Sequence, residues 1–271
     1  MTVLCRWLDV SRSGFYAWES RQAAPRYHDD QILLEMISHI YWSSEGRYGS
    51  PRVYKALKAQ GVGVSKKRVA RLMREAGLVG RVTQVTRRQP GLKRFKAAGE
   101  NLLLGIDAVD ELNQVWVADV TYIKVKKKWC YLATVMDRYS RRVIGWSLGR
   151  RRTTELTENA LTYALKKRGY PEGVILHTDR GIEYTNHSFQ RLLKRHHFKH
   201  SLNRPGHCTD NAFMESFYHS LKGELIRGTI YKGFHALQKD LGRYINKFYN
   251  AVRLHSGLDY LSPVEFERCM A

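Results

Sequence analysis

The sequence predicts an α/β fold, a mixed five-stranded sheet covered by helices, preceded by an all-α region. Three observations support this interpretation. Before about Gly80 the apolar residues recur at helical spacing and no strand pattern occurs. After about Asn113 three consecutive runs are rich in β-branched and aromatic residues, and then helical patterns alternate with short strands. A chain of 271 residues that is 43% hydrophobic is long enough for one or two folded domains.

The charge of the chain indicates a polyanionic partner. The sequence has 46 Lys and Arg against 25 Asp and Glu, a formal net charge of +21, which is typical of a nucleic-acid-binding protein, a membrane-surface protein or a ribosomal-type component. Residues 51–100 alone hold 14 basic and two acidic side chains. No apolar run approaches the ~18 residues of a membrane span, and the first twenty residues lack a signal-peptide core. We therefore expect a cytoplasmic protein without a membrane partner.

The four cysteines predict neither disulfides nor a zinc module. They lie far apart and form no Cys-x-x-Cys pair, so we expect reduced thiols. The cysteines are Cys5, Cys130, Cys208 and Cys269.

Residues 1–80 are predicted to form a helix-turn-helix DNA-binding region. An apolar stripe over residues 29–41 predicts a core helix, and Ser50-Pro51 begins the next one. Ser65 caps a third helix that Gly77 ends. A basic helix alone is usually a solvated surface, but two short helices joined by a glycine-containing turn favour a recognition helix. Its predicted DNA contacts are Lys66, Lys67, Arg68, Arg71 and Arg74.

A basic linker over residues 81–112 precedes the predicted catalytic core, residues 113–271. Strands are predicted at residues 115–125, 127–138, 141–148, 174–177 and 199–202, and helices at 154–168, 188–197, 211–225 and 235–252. Three hairpin strands followed by alternating helices and strands describe a ribonuclease H-like arrangement.

Three carboxylates are the candidate catalytic residues. Asp119 lies inside an apolar strand, where an ionised side chain is costly unless a cation pairs with it. Asp179 follows a strand at its carboxyl end, where sites form in α/β sheets. Glu215 lies on a polar helical face shared with Asn211 and Lys222. Three hard oxygen ligands suit a pair of Mg²⁺ ions.

Two neighbouring residues have alternative interpretations. Asp137 is either a further metal ligand or the ion-pair partner of the adjacent Arg138. His177 faces the same side of its strand as Asp179 and is either a hydrogen-bonded core residue or a support for the site. Lys222 is the preferred contact for a DNA phosphate near Glu215.

The sequence around the carboxylates resembles a known family. Val117-Ala118-Asp119-Val120-Thr121-Tyr122, His177-Thr178-Asp179-Arg180-Gly181 and Asp210-Asn211-Ala212-Phe213-Met214-Glu215 resemble the D, D, 35, E signature of retroviral-integrase-like transposases, and 35 residues separate Asp179 from Glu215. The chain is most similar to the second-reading-frame product of insertion-sequence-3-type elements, from about Asp29 through Pro263. Ile182-Glu183 departs from that pattern, in which a small residue and glutamine are common.

The resemblance implies the activity, cofactors and partners. It implies a polynucleotidyl transferase that cleaves and joins DNA strands at the ends of a mobile element, with Asp119, Asp179 and Glu215 binding two Mg²⁺ ions, for which Mn²⁺ substitutes. The implied partners are double-stranded terminal repeats and target DNA, further copies of the chain on DNA, and an upstream-reading-frame product, in the bacterial nucleoid. Arg180, Asn211 and Lys222 complete the predicted DNA contacts.

Two other functions are compatible with parts of the pattern. A ribonuclease H-like nuclease that cuts RNA in hybrids would share the fold, but it has no reason to carry the basic helix-turn-helix region. A catalytically silent DNA-binding regulator would share that region, but it has no reason to keep three carboxylates near one sheet edge.

Overall fold

The computed structural model describes residues 2–19, 25–81, 99–106, 108–205 and 207–270. Most of the predicted linker, residues 82–98, lies outside the described residues. The chain divides into two compact units, an N-terminal unit of residues 1–81 and a C-terminal unit of residues 82–271. No helix among the described residues is long and apolar enough to cross a membrane.

The N-terminal unit is entirely helical in its described part. Ile37, Val53, Leu57 and Val69, which lie on its last three helices, are fully buried. These helices begin and end close to where the sequence predicts, because their caps and apolar stripes are both encoded locally. The helices are α1 (Thr2–Trp7), α2 (Arg12–Glu19), α3 (Pro25–Ser43), α4 (Ser50–Ala59) and α5 (Lys66–Glu75).

The predicted caps of α5 are confirmed, and an acidic residue of α3 forms ion pairs with two arginines of α5. The Ser65 hydroxyl accepts the Arg68 N–H at 3.2 Å, and Gly77 adopts a left-handed φ of 66° after the helix. Asp30 accepts hydrogen bonds from Arg68 Nε at 2.6 Å and from Arg71 Nη2 at 2.7 Å. Two of the five basic side chains of the predicted recognition helix are therefore paired within the unit.

The C-terminal unit contains the predicted five-stranded sheet, in the order β3-β2-β1-β4-β5. β1 pairs antiparallel with β2, and β2 with β3, whereas β1–β4 and β4–β5 are parallel. This order confirms the ribonuclease H-like arrangement. The strands are β1 (Val115–Val125), β2 (Lys128–Asp137), β3 (Val143–Gly149), β4 (Ile175–Thr178) and β5 (Lys199–Leu202).

One face of the sheet packs against α6 (Thr154–Arg168), whose bounds are as predicted. Trp116 and Leu176 are fully buried in this core together with the apolar stripe of α6. Gly145 lets the helix approach closely, since a Cβ there would lie 2.1 Å from the Ala160 carbonyl oxygen. A side chain at this position would push the helix off the sheet.

The remaining helices differ more from the predictions. The helix predicted over residues 211–225 is α9 (Ala212–Leu221) followed by a π-helical segment, Lys222–Ile226, and the one predicted over 235–252 is α10 (Phe234–Gly242) followed by Arg243–Tyr249, also π-helical. The predicted helix 188–197 is α8 (His187–Arg195). Two helices were not predicted, α7 (Ile182–Thr185) and α11 (Pro263–Met270).

A buried ion pair fixes the first π-helical segment to the chain that follows α10. Arg253 Nη2 lies 2.7 Å from Glu224 Oε1, and the Tyr244 hydroxyl donates to Glu224 Oε2 at 2.8 Å. Glu224 is 2% exposed and Arg253 5% exposed, so neither charge is solvated. Loss of one partner would leave the other charge buried alone.

We expect Glu224→Ala to lower the free energy of unfolding by about 3–5 kcal/mol, because the Arg253 guanidinium would remain buried without its carboxylate. Urea denaturation of the full chain measures this change, and Glu172→Ala, at an exposed position, serves as the control. A loss below about 1 kcal/mol, the size of a surface ion pair, would contradict the expectation.

Candidate active site

Two carboxylates lie side by side at one edge of the sheet because of the strand register. β1 and β4 are parallel neighbours in which Val117 pairs with His177. Asp119, inside β1, and Asp179, directly after the last residue of β4, each lie two residues beyond this pair, so both are at the same level of the sheet and point to the same side. The strand register therefore brings these two carboxylates together.

The electrostatics of the two carboxylates reflect this proximity. Burial, and next the negative charge of Asp179, raise the pKa of the Asp119 carboxyl well above its usual range. Asp119 Oδ1 accepts the Val120 N–H at 2.7 Å, and Asp179 Oδ1 accepts the Gly181 N–H at 3.0 Å. The pair carries a repulsion that a bound cation would relieve.

Arg152, just before α6, places a positive charge beside this pair. Its Nη2 lies 3.5 Å from Asp179 Oδ2, and its Nε donates to Glu183 Oε1 at 2.6 Å. Glu183 is 2% exposed, and a Cβ on Gly181 would lie 2.5–2.8 Å from its carboxyl atoms. Glycine at 181 thus makes room for Glu183, which in turn holds Arg152 next to Asp179.

The third predicted carboxylate lies on a helix that is tied to β1. The Tyr218 hydroxyl of α9 donates to the Asp119 carbonyl oxygen at 2.5 Å, and Asn211 Nδ2 donates to the Ala118 carbonyl oxygen at 3.1 Å. Glu215 precedes Tyr218 by three residues, about one helical turn, and is exposed. The helix that carries Glu215 is therefore anchored to β1 at Asp119.

The side chains do not form a complete metal cage. Within the described ranges, no three His, Cys, Asp or Glu side chains are arranged to hold a metal ion. The structure brings Asp119 and Asp179 together, and among the described residues Glu215 does not complete a three-ligand group with them.

The predicted DNA contacts of α5 fall into two groups. Lys66, Lys67 and Arg74 are exposed. Arg68 and Arg71 are held by Asp30, and Arg71 also pairs with Glu75 at 2.9 Å. The exposed group is available to a phosphate backbone, whereas the paired group is fixed in position.

The residues predicted as DNA contacts near the carboxylates make contacts within the protein. Asn211 is only 4% exposed, and its Nδ2 donates to β1, so its contact with DNA stays a prediction. Arg180 donates to the carbonyl oxygens of Asn203, at 2.7 Å, and Gly99, at 2.8 Å, and so braces the backbone behind Asp179. The Lys222 ammonium lies 4.8 Å from the centroid of the Tyr122 ring.

The two ambiguous residues have structural roles. Asp137 is fully buried, accepts the Asn113 and Tyr139 N–H groups, and lies 3.6 Å from Arg168 Nη2, so the ion-pair interpretation holds with a different arginine from the one predicted. His177 is fully buried with Nδ1 2.8 Å from Ser201 Oγ.

A neighbouring histidine is held neutral. Burial, and then the charge of His177, lower the pKa of His200 to about 4. Gln190 Nε2 donates to His200 Nδ1 at 2.9 Å, and Thr178 Oγ1, whose proton goes to the Asp179 carbonyl oxygen, accepts from His200 Nε2 at 3.0 Å. This set of bonds requires the neutral ring.

We expect acid to destabilise the protein through this ring. The pKa of an unfolded histidine is about 6.5, so below that pH the unfolded chain binds a proton. In the folded protein His200 stays neutral down to about pH 4. The free energy of unfolding should fall by about 1.4 kcal/mol per pH unit per such histidine across this window. Urea denaturation at about pH 7 and about pH 5 measures it, and His200→Gln should give a shallower fall. Equal falls in both proteins would contradict the assignment.

Sequence reasoning missed three residues of the site. Tyr218 and Arg152 reach β1 and Asp179 only through the tertiary fold, although the run Arg150-Arg151-Arg152 just before a helix was a visible signal. Glu183 departs from the family pattern, but the sequence does not indicate that it pairs with Arg152.

Comparison with known proteins places both units in recognised families of domains. Residues 110–208 match a family model described as an integrase core domain, and residues 196–263 match a second model with the same description. Residues 28–86 match a model described as an HTH-like domain.

Relatives are similar over almost the whole chain. The transposase InsF for insertion sequence IS3A of Escherichia coli (strain K12) is 39% identical over 97% of this chain and 92% of that protein. The transposase for insertion sequence element IS904 of Lactococcus lactis subsp. lactis (strain IL1403) is 35% identical over 92% of this chain and 98% of that protein. Among solved structures, the HTLV-2 integrase catalytic core domain in complex with magnesium aligns with a TM-score of 0.41 and 22% identity, over 57% of this chain and 96% of that one.

Proposed function

Because the chain belongs to the family of insertion-sequence-3-type transposases, we propose that it carries out DNA transposition as a DDE-type polynucleotidyl transferase. Its reaction is cleavage of DNA strands at the ends of a mobile element and their transfer to target DNA. The observation that carries the proposal is the Asp119–Asp179 pair, which the parallel register of β1 and β4 brings together inside the region that matches the integrase core.

The chemistry of the carboxylates fits a divalent cation. Two hard oxygen donors lie close enough for Asp179 to raise the pKa of Asp119, and Mg²⁺ prefers such ligands while keeping waters and phosphate oxygens at its other positions. Asp119, Asp179 and Glu215 would hold two Mg²⁺ ions, with Mn²⁺ as a substitute. Such ions supply the Lewis acidity that activates water or a 3′-hydroxyl and stabilises the departing 3′-oxygen.

The protein groups around the carboxylates position them. Tyr218 and Asn211 fix α9 against β1, and so determine where Glu215 can reach. Arg152 and Glu183 set the orientation of Asp179. In the metal-free protein Arg152 also offsets part of the negative charge that a cation would later neutralise.

The DNA partners follow from the same assignment. Lys66, Lys67 and Arg74 on α5 would contact the phosphates of double-stranded terminal repeats, and Lys222 those of the strand at the active site. Joining two ends calls for several copies of the chain on the DNA, and an upstream-reading-frame product is a further partner. The protein would act on DNA of the bacterial nucleoid.

Incubation of the full chain with labelled ends of its own element tests the proposal. We expect Mg²⁺-dependent nicking and joining products on a denaturing gel, and binding without products when EDTA replaces the metal. Binding to the ends without any product in Mg²⁺ or Mn²⁺ would instead support a silent regulator. Cleavage restricted to RNA in hybrids would support a ribonuclease.

A further inference from the structure

An exposed pair of aromatic rings lies at the far end of the β1–β2 hairpin. Tyr122 is 40% exposed and Trp129 is 46% exposed. Their ring centroids are 5.2 Å apart with planes at 87°, an edge-to-face contact. Tyr122 pairs with Tyr131 and Lys124 with Trp129 across the hairpin. The two rings therefore occupy one face of the sheet where it extends past the core.

Positive charge surrounds this pair. Lys124 Nζ lies 5.6 Å from the Trp129 ring centroid, and Lys222 Nζ lies 4.8 Å from that of Tyr122. The turn that joins the strands is Lys126-Lys127, Lys128 follows it as the first residue of β2, and all three are exposed. We call Tyr122, Trp129, Lys124, Lys222 and the turn lysines the hairpin patch.

The turn is unfavourable for the isolated protein. Lys126 adopts a φ of 54°, in the left-handed region that glycine occupies at a lower conformational free energy than lysine. Adjacent lysines with no intervening acidic residue also repel one another. A polyanion bound at this turn would relieve the repulsion, so charge complementarity identifies the chemistry of the ligand.

The aromatic rings identify the form of the polyanion. A duplex presents its phosphates and buries its base faces, so it would need only the lysines. Unpaired bases expose their faces and stack on aromatic side chains. The combination of exposed rings and lysines fits a single strand.

The position of the hairpin patch links it to the catalytic edge. Tyr122 lies three residues beyond Asp119 on β1, roughly 10 Å along the strand, and points to the opposite face of that strand. Lys222 follows Glu215 by seven residues on the same helical segment and contacts Tyr122. Tyr218, four residues before Lys222, donates to the Asp119 carbonyl oxygen, so the link between Asp119 and the patch runs along α9 and through Lys222.

We propose that the hairpin patch is a stacking site for an unpaired base of the DNA strand that enters the active site. The inference rests on the proposed function and adds to it a specific substrate form, an end with unpaired nucleotides. Tyr122 and Trp129 stack on the base, and the lysines bind the flanking phosphates.

Equilibrium binding by the full chain in EDTA tests the site without any catalytic step. The probes are a fluorescent short oligothymidylate and a blunt duplex of equal length. We expect Trp129→Ala to weaken binding of the single strand about tenfold and to change duplex binding less than about twofold, since phosphate contacts remain. Trp129→Phe, which keeps an aromatic face, should bind nearly as the wild type does. Tyr163→Ala removes an aromatic residue that is 63% exposed on α6 and is the matched control.

A second probe reports stacking directly. A 2-aminopurine base at an unpaired end should lose fluorescence when bound to the wild type or to Trp129→Phe, and not when bound to Trp129→Leu. Leucine fills the site without a π face, so this comparison stands even if the alanine variant does not fold.

Several outcomes would overturn the proposal. Single-strand binding by Trp129→Ala equal to that of Tyr163→Ala excludes stacking, and equal losses for single strand and duplex reduce the patch to a phosphate contact. Tryptophan-dependent binding to anionic phospholipid vesicles without an effect on DNA would make it a membrane-surface site. If the wild type binds neither DNA probe, the proposed function itself fails. If the wild type binds the DNA probes and substitution of Trp129 does not change that binding, this inference fails while the proposed function stands.

Discussion

Asp179→Asn should abolish metal-dependent cleavage and joining, lowering the rate by at least about a thousandfold. Asp179 lies beside Asp119 and supplies one of the negative charges that would hold the cation. Asparagine keeps the shape and can still accept the Gly181 N–H, but it removes the charge. Loss of metal-based charge stabilisation is worth several kcal/mol in the transition state, and each 1.36 kcal/mol is a factor of ten in rate.

Controls separate this loss from a folding defect. The carboxylate of Asp179 is 36% exposed, so the variant should melt close to the wild type and bind element ends as tightly in EDTA. Glu215→Gln should lose activity to a similar extent, and Glu172→Gln, at an exposed position of the same unit, should retain it. Substantial product from either triad variant on the denaturing gel would refute the assignment of the ligands.

The strands and the Asp119–Asp179 pair could be predicted because their determinants are local or topological. The β-branched run of β1 ends where a lysine turn begins, and the observed bounds match the predicted ones. Because β1 and β4 are parallel neighbours, the two residues that lie equally far beyond the Val117–His177 pair are adjacent, whatever their separation in sequence. A sheet order is enough to bring them together.

The helix ends after α9 and α10 could not be predicted from periodicity. Both helices pass into π-helical segments, Lys222–Ile226 and Arg243–Tyr249. Wider turns change which carbonyl accepts each hydrogen bond without changing the composition of the segment. α7 has only four residues, about one helical turn, so its apolar residues cannot recur at helical spacing.

Ion pairs between residues that are far apart in the sequence could not be predicted either. Arg68 and Arg71 meet Asp30 across 38 and 41 residues, and Arg152 meets Glu183 across 31. From charge counts alone, these arginines are predicted to be exposed to solvent and not to form ion pairs. Only the tertiary fold decides that these arginines are used internally while Lys66, Lys67 and Arg74 remain at the surface.

That division leads to the second large expected effect, on DNA affinity. The triple variant Lys66→Gln, Lys67→Gln, Arg74→Gln should bind element ends more weakly at low salt and with a flatter salt dependence. Each lost phosphate contact should reduce the slope of log K against log salt by about one. Three contacts together would lower the affinity at low salt by a factor on the order of a thousand, since each contact releases counterions and that release both drives binding and sets the slope.

The measurement is fluorescence anisotropy of labelled element ends with the full chain across a range of salt concentrations. The control, Lys166→Gln, Lys194→Gln, Arg195→Gln, removes equal charge from exposed positions on α6 and α8. Because net charge falls equally in both triples, a difference between their slopes isolates contacts on α5 from long-range attraction. If both triples give the same slope and affinity, the helix-turn-helix surface does not contact the phosphates, and the basic residues of the C-terminal unit must supply the affinity instead.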